Sequence, residues 1–317
     1  MDRTSRILLR KIIIDIVCLC LVGFSVLGFY LFGKPYSRGF FCDDESINHP
    51  FKPSTVTSSM LYAVGIFLPV CAMLVGEYLY ARNSNGPSSI MLFGKVIPPW
   101  VSLAYNKIGL FGFGGVASQL TTDIAKYTIG RLRPHFMDVC KPNIDCSLPQ
   151  YQNVYITNFT CTSTTSTVRM LKEARLSFPS GHSSFSAYAM VYLALYLQLR
   201  ITWKGSKLLK NVLQLMCLWM AWFTAMSRVS DYKHHWSDVL VGQLLGIVAA
   251  LIMVFAVADF FKERRSTSPS IGTTTHPEKM TTLDYDVEPG MQDERSPLRR
   301  GEPLYGGITM TDTNRNE

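Results

Sequence analysis

Charge is scarce in this sequence: 17% of its 317 residues are Asp, Glu, Lys or Arg, while 48% are apolar. That balance excludes an intrinsically disordered chain, which would carry too little apolar surface to bury. No tight Cys-x-x-Cys pair is present, so the usual structural zinc site is missing. The outer loops also lack carboxylates grouped in the manner of a hard-metal site. Neither a metal nor any other cofactor is expected, and no nucleic-acid partner. No internal repeat is evident, and neither are the paired broken helices that mark many transporters.

Apolar residues, by contrast, are plentiful and unevenly placed. They gather into six blocks near residues 12–33, 58–80, 108–126, 178–199, 209–226 and 238–260. Each is close to the ~20 residues that cross a bilayer as a helix satisfying its own backbone. The expected fold is all-α, an integral membrane protein whose six transmembrane helices occupy residues 1–261. The third block carries Gln119, Thr121, Thr122 and Asp123, so one side of it should face protein or water. The first block is too long for a signal peptide and shows no small-residue cleavage site, so it reads as an anchored span. From residue 262 the sequence turns polar and rich in Ser, Thr, Pro and Gly. Residues 262–317 read as a disordered cytosolic tail, with Lys262, Arg264 and Arg265 holding the last helix at the anionic inner surface.

Six spans put both termini on one side. The distribution of Lys and Arg favours the cytosol for that side only slightly. Asn158-Phe159-Thr160, between the third and fourth spans, is a glycosylation acceptor and makes sense only on a lumenal or extracellular face. Cys42, Cys140, Cys146 and Cys161 fall in the outer loops, where an oxidising compartment would allow two disulfides of open pairing. Cys18, Cys20, Cys71 and Cys217 fall inside spans.

Three polar clusters lie at the outer ends of spans three, four and six. In the first, Arg133 lies seven positions after Lys126, which would put both on one helical face before Pro134 ends the helix. A snorkelling basic belt would look the same. The second, Pro179-Ser180-Gly181-His182, opens span four, where unpaired N–H groups and a close approach at Gly181 suit an anion beside His182. The third runs from Ser227-Arg228 to His234-His235-Trp236-Ser237-Asp238. If helical geometry begins there, the four-residue step lets Asp238 accept a hydrogen bond from one nitrogen of His234, leaving the other as a nucleophile. Arg228 offers a planar fork of donors for phosphate oxygens. His235 has Val239 at the same offset and reads as a packing or rim residue.

Taken in order on a six-span scaffold, K-x6-RP, PSGH and SR-x5-H-x3-D resemble the type 2 phosphatidic acid phosphatase superfamily, and within it the eukaryotic lipid phosphate phosphatases. The resemblance runs from about residue 10 to 262. It implies a helical core like that of the haloperoxidases and a metal-independent phosphomonoesterase acting through a phosphohistidine. His234 would be the nucleophile, Asp238 its orienting carboxylate and His182 the general acid and base. Lys126, Arg133, Ser180, Gly181 and Arg228 would bind phosphate. Implied substrates are phosphatidate, lysophosphatidate, sphingosine 1-phosphate and ceramide 1-phosphate, cleaved on the lumenal or extracellular face of the plasma membrane or endomembranes. A homo-oligomer is implied by the resemblance alone. The competing readings are a lipid transporter, with Asp15, Glu77 and Asp123 along its path, a sugar-phosphate hydrolase, and a silent lipid-binding or adhesion scaffold.

Overall fold

The computed structural model describes residues 3–83, 90–92, 94–200 and 207–257, so the expected tail at 262–317 lies outside it. Its helices, in chain order, are α1 (Arg3–Phe32), α2 (Ser58–Asn83), α3 (Pro99–Ile129), α4 (Phe136–Cys140), α5 (Val168–Glu173), α6 (Gly181–Arg200), α7 (Lys207–Ser230) and α8 (Trp236–Leu251). A π-helical stretch, Ile252–Val257, continues α8. A small antiparallel hairpin, Ile90–Leu92 with Lys95–Ile97, joins α2 to α3. The long helices answer to the six apolar blocks. Four segments, Ser5–Phe32, Ser58–Asn83, Leu208–Ser230 and Trp236–Val257, are long and apolar enough to cross a membrane by length and composition.

The remaining two long helices, α3 and α6, are less apolar for a physical reason. α6 runs through the middle of the bundle, packed against α2, α3, α7 and α8. Most of its residues are buried against protein, including Ser183, Ser184 and Ser186. Two of its buried tyrosines complete their hydrogen bonds on the backbone of α3, Tyr188 donating to the Phe111 carbonyl at 2.7 Å and Tyr192 to that of Lys107 at 3.2 Å. α8 meets α6 so closely that a Cβ on Gly246 would stand 2.2 Å from the Ser184 carbonyl oxygen. No residue but glycine fits that seam without moving backbone.

α3 is longer than its apolar block, beginning at Pro99, a residue suited to a first helical turn. It also ends earlier than expected. Gly130 adopts the left-handed conformation, φ 58°, and its N–H caps the Lys126 carbonyl at 3.1 Å, so Pro134 lies beyond the helix rather than stopping it. Lys126 and Arg133 therefore do not share a helical face.

The ends of α1, α3 and α7 and the beginnings of α2, α6 and α8 meet at one cap. Its core is Phe40, Ile47, Leu132, Phe136, Val139 and Ile156. Two disulfides, Cys42–Cys146 and Cys140–Cys161, fix the pairing that spacing left open. At the opposite end Glu77 is fully buried and paired with Arg200 at 2.6 Å, also accepting from Tyr196. Asp15 accepts from Tyr105 and Asp123 from Gln119, both at 3.1 Å. These contacts give the three acidic residues partners within the fold.

Candidate active site

The three clusters come together under the cap. Beyond α3, residues 131–133 lie against 174–177, with Arg133 N–H on the Ala174 carbonyl at 2.8 Å and Ser177 N–H on that of Arg131 at 3.0 Å. This places Ser177 between the loop that carries Arg133 and the loop that carries His234. Lys126 reaches the start of α6, where a Cβ on Gly181 would lie 2.9 Å from its ammonium nitrogen, so glycine is what admits the cation there. Arg133, His234, Lys126 and Arg228 all lie within electrostatic reach of the His182 imidazole.

His234 is buried, 4% exposed, and its Nδ1 donates to the Ser177 carbonyl at 2.7 Å. Asp238 Oδ2 stands 3.8 Å from that nitrogen, within ion-pair but not hydrogen-bond range. The expected His234–Asp238 hydrogen bond is thus replaced by one to a backbone carbonyl. The four-residue step fails because α8 begins at Trp236, leaving His234 ahead of the helix. His235 is the N-cap instead, and Asp238 closes a capping box on it, accepting from its N–H at 3.0 Å and its Nδ1 at 3.2 Å. Asp238 also accepts from Ser177 Oγ at 2.6 Å and pairs with Arg131. It therefore holds Ser177, whose carbonyl holds His234. Removal from water, with Arg133 and Lys126 nearby, pushes the His234 ring down to about 3, so the ring is neutral at physiological pH.

Arg228 is 1% exposed and donates to Asp231 Oδ2 at 3.0 Å and to Ser227 Oγ. Asp231 in turn accepts from the N–H and hydroxyl of Thr55 at 2.7 and 2.8 Å, so the loop before α2 steadies the guanidinium. Arg133, held below the usual guanidinium range by burial, has a buried Nε without a partner. Ser180 Oγ is spent on Ser183, from whose hydroxyl it accepts at 3.0 Å, and its N–H on the Asp238 carbonyl at 3.0 Å. It caps and braces α6 as an acceptor, which leaves its own hydroxyl hydrogen free to donate. Asn158 is exposed.

Sequence reasoning passed over Ser177, Asp231, Thr55 and Arg131. Arg131 was visible two residues before Arg133, and Asp231 at a helical i+3 step from Arg228. Ser177 meets His234 through its main chain, which carries no sequence signal, and Asp238 through its hydroxyl. A cavity of about 320 Å³ is lined by residues including Arg38, Phe40, Asp44, Arg131, Tyr155 and His235, and by neither His182 nor His234.

A buried neutral imidazole ringed by cations on a helical membrane scaffold defines a class of protein, and the chain belongs to the PAP2 superfamily, whose family model matches residues 107–262. Among its relatives is a putative phosphatidate phosphatase of Drosophila melanogaster, 50% identical over 285 residues, covering 86% of this chain and 75% of the relative. Phospholipid phosphatase 1 of Rattus norvegicus is 42% identical over 267 residues, covering 81% and 88%. Phospholipid phosphatase 2 of Homo sapiens is 41% identical over 257 residues, covering 80% and 84%. No solved structure matches the chain.

Proposed function

We propose that this protein is an integral membrane lipid phosphate phosphatase that works through a phosphohistidine on His234. The observation that carries the reading is the convergence of Lys126, Arg133, Arg228 and His182 on one buried, neutral imidazole. With Nδ1–H donated to the Ser177 carbonyl, the lone pair of His234 sits on Nε2, the nitrogen that attacks phosphorus. As the N–P bond forms, the P–O bond to the lipid breaks and the alkoxide takes a proton from His182. Water then attacks the phosphohistidine, giving its proton to His182 and restoring His234 as inorganic phosphate leaves. Lys126, Arg133 and Arg228 neutralise the phosphoryl oxygens, with the Gly181 N–H at the start of α6 as a further donor. Asp238 orients His234 through Ser177, and its charge at 3.8 Å stabilises the cationic ring of the intermediate.

The substrates that fit a phosphate site under the outer cap of a membrane bundle are amphiphiles whose chains stay in the bilayer: phosphatidate, lysophosphatidate, sphingosine 1-phosphate and ceramide 1-phosphate. All six long helices cross the membrane in this reading. The cap, with its two disulfides and exposed Asn158, is extracellular or lumenal, and both termini are cytosolic. The test is phosphate release from these lipids and from a sugar phosphate by purified protein in chelator. Lipid hydrolysis undiminished by chelator is expected. Lipid movement across vesicles without phosphate release would favour a transporter.

A further inference from the structure

Directly before His234 stands a lysine that the catalytic scheme leaves unused. Lys233 is 5% exposed, and among the described residues no carboxylate or hydrogen-bond acceptor meets its ammonium. Its nitrogen lies instead over the ring of Phe51, 3.5 Å from the centroid. The arrangement is firmly built. Tyr232, in the left-handed region at φ 53°, turns the chain so that the N–H groups of Lys233 and His234 both donate to the Arg228 carbonyl, at 3.0 and 3.2 Å. The segment carrying Phe51 is pinned across this turn. His49 stacks on Tyr232 at 4.3 Å, Phe51 N–H donates to Asp138 at 2.8 Å, and Thr55 holds Asp231.

An ammonium on a mostly buried side chain, with only an aromatic face for company, has lost part of its hydration and keeps donors free for a ligand. The charged groups within its reach do not supply the deficit. Arg133 and Arg228 are cations, Asp231 is already engaged by Arg228 and Thr55, and Glu173 by Arg169. His135, which also feels Lys233, gives its Nδ1 to the Tyr232 carbonyl. The buried, unpartnered Nε of Arg133 is a further cationic donor in the same neighbourhood. Two such donors, from separate loops and within reach of each other, call for one anion.

We infer that Lys233 is a fourth cation of the phosphate site, steered by Phe51 and binding the oxygens of the ester phosphate and of the inorganic phosphate that replaces it. The inference rests on the phosphatase reading above and adds a residue to it. Burial, then the neighbouring Arg133 and Arg228, brings the ammonium down to about 8. In the free enzyme the charge is present below that pH and lost as pH rises through it, so kcat/KM should fall on an alkaline limb there.

The experiment uses the full-length protein in lipid–detergent micelles, measuring inhibition by inorganic orthophosphate and the pH profile of kcat/KM. Lys233→Met keeps an unbranched stem against Phe51 and should weaken orthophosphate inhibition by about 10- to 100-fold, the loss expected for a charge-assisted contact. Lys233→Arg should restore inhibition and carry the alkaline limb beyond the measured range, since a guanidinium does not titrate there. A folded Lys233→Met enzyme with the wild-type inhibition constant would overturn the inference, and so would an unmoved alkaline limb in Lys233→Arg. Should Lys233→Met fail to fold, the arginine profile decides alone. Wild-type protein that releases no phosphate from any lipid would instead overturn the phosphatase reading.

Discussion

α1 and α6 are long helices of one bundle, and between them they invert the habit of soluble proteins. α1 is strongly apolar, yet none of its most apolar stretch is buried in protein. α6 is buried along most of its length and carries Ser183, Ser184, Ser186 and three tyrosines inward. Lipid tails are as apolar as leucine, so an apolar helix gains little by leaving them. Serines, tyrosine hydroxyls and charged groups gain much, because only protein can meet their hydrogen bonds at that depth. The polar helix is therefore the central one, and the residues at its N-terminal end, Gly181 and His182, come within reach of α3, α7 and α8. Chemistry at the core and solvation at the shell have one cause.

Substitutions should consequently hurt in proportion to their distance from the shell. His182→Ala, at the start of the buried helix, should lower the steady-state rate by about 10²–10⁴-fold, the usual worth of a positioned proton donor. Circular dichroism and surface delivery should remain those of the parent. Breaking the Cys140–Cys161 bridge with a paired serine substitution should cost about 3 kcal/mol, as expected for a short closed loop. That loss would appear as a lower melting temperature in non-reducing buffer. Gly246→Ala, at the α6–α8 seam, should cost about 1–3 kcal/mol through overpacking against the Ser184 carbonyl. Phe24→Ala on α1, where the ring is 68% exposed, should change stability by less than about 0.5 kcal/mol in the same melting assay. A Phe24→Ala loss equal to that of Gly246→Ala would erase the contrast between shell and centre.

Much of this was legible in the sequence because a membrane span announces itself by length and composition. The six blocks lie within or across the six long helices, and Cys42, Cys140, Cys146 and Cys161 proved to form two bridges. The ends were harder. The apolar block starts only at residue 108 because Asn106 and Lys107 break the run, whereas α3 begins at Pro99, with Lys107 buried and its carbonyl accepting from Tyr192. The spacing of His234 and Asp238 looked helical, but a helix that starts two residues after His234 gives the i+3 partner to the N-cap, His235. The direct support of His234 is a main-chain oxygen, which carries no side-chain signal at position 177. Lys233 was hidden for another reason. A lysine beside a histidine pair reads as an exposed loop charge until the segment from His49 to Thr55 is seen to close over it.

The account turns on His234, and it is tested most directly by rapidly quenching the purified protein in alkali during turnover of a lipid labelled with ³²P in its phosphate. Label should remain on the protein through an acid-labile, alkali-stable bond mapped to His234, and should be absent from His234→Ala. Rapid phosphate release from the wild type with no labelled enzyme at any quench time, or undiminished turnover by His234→Ala, would contradict it.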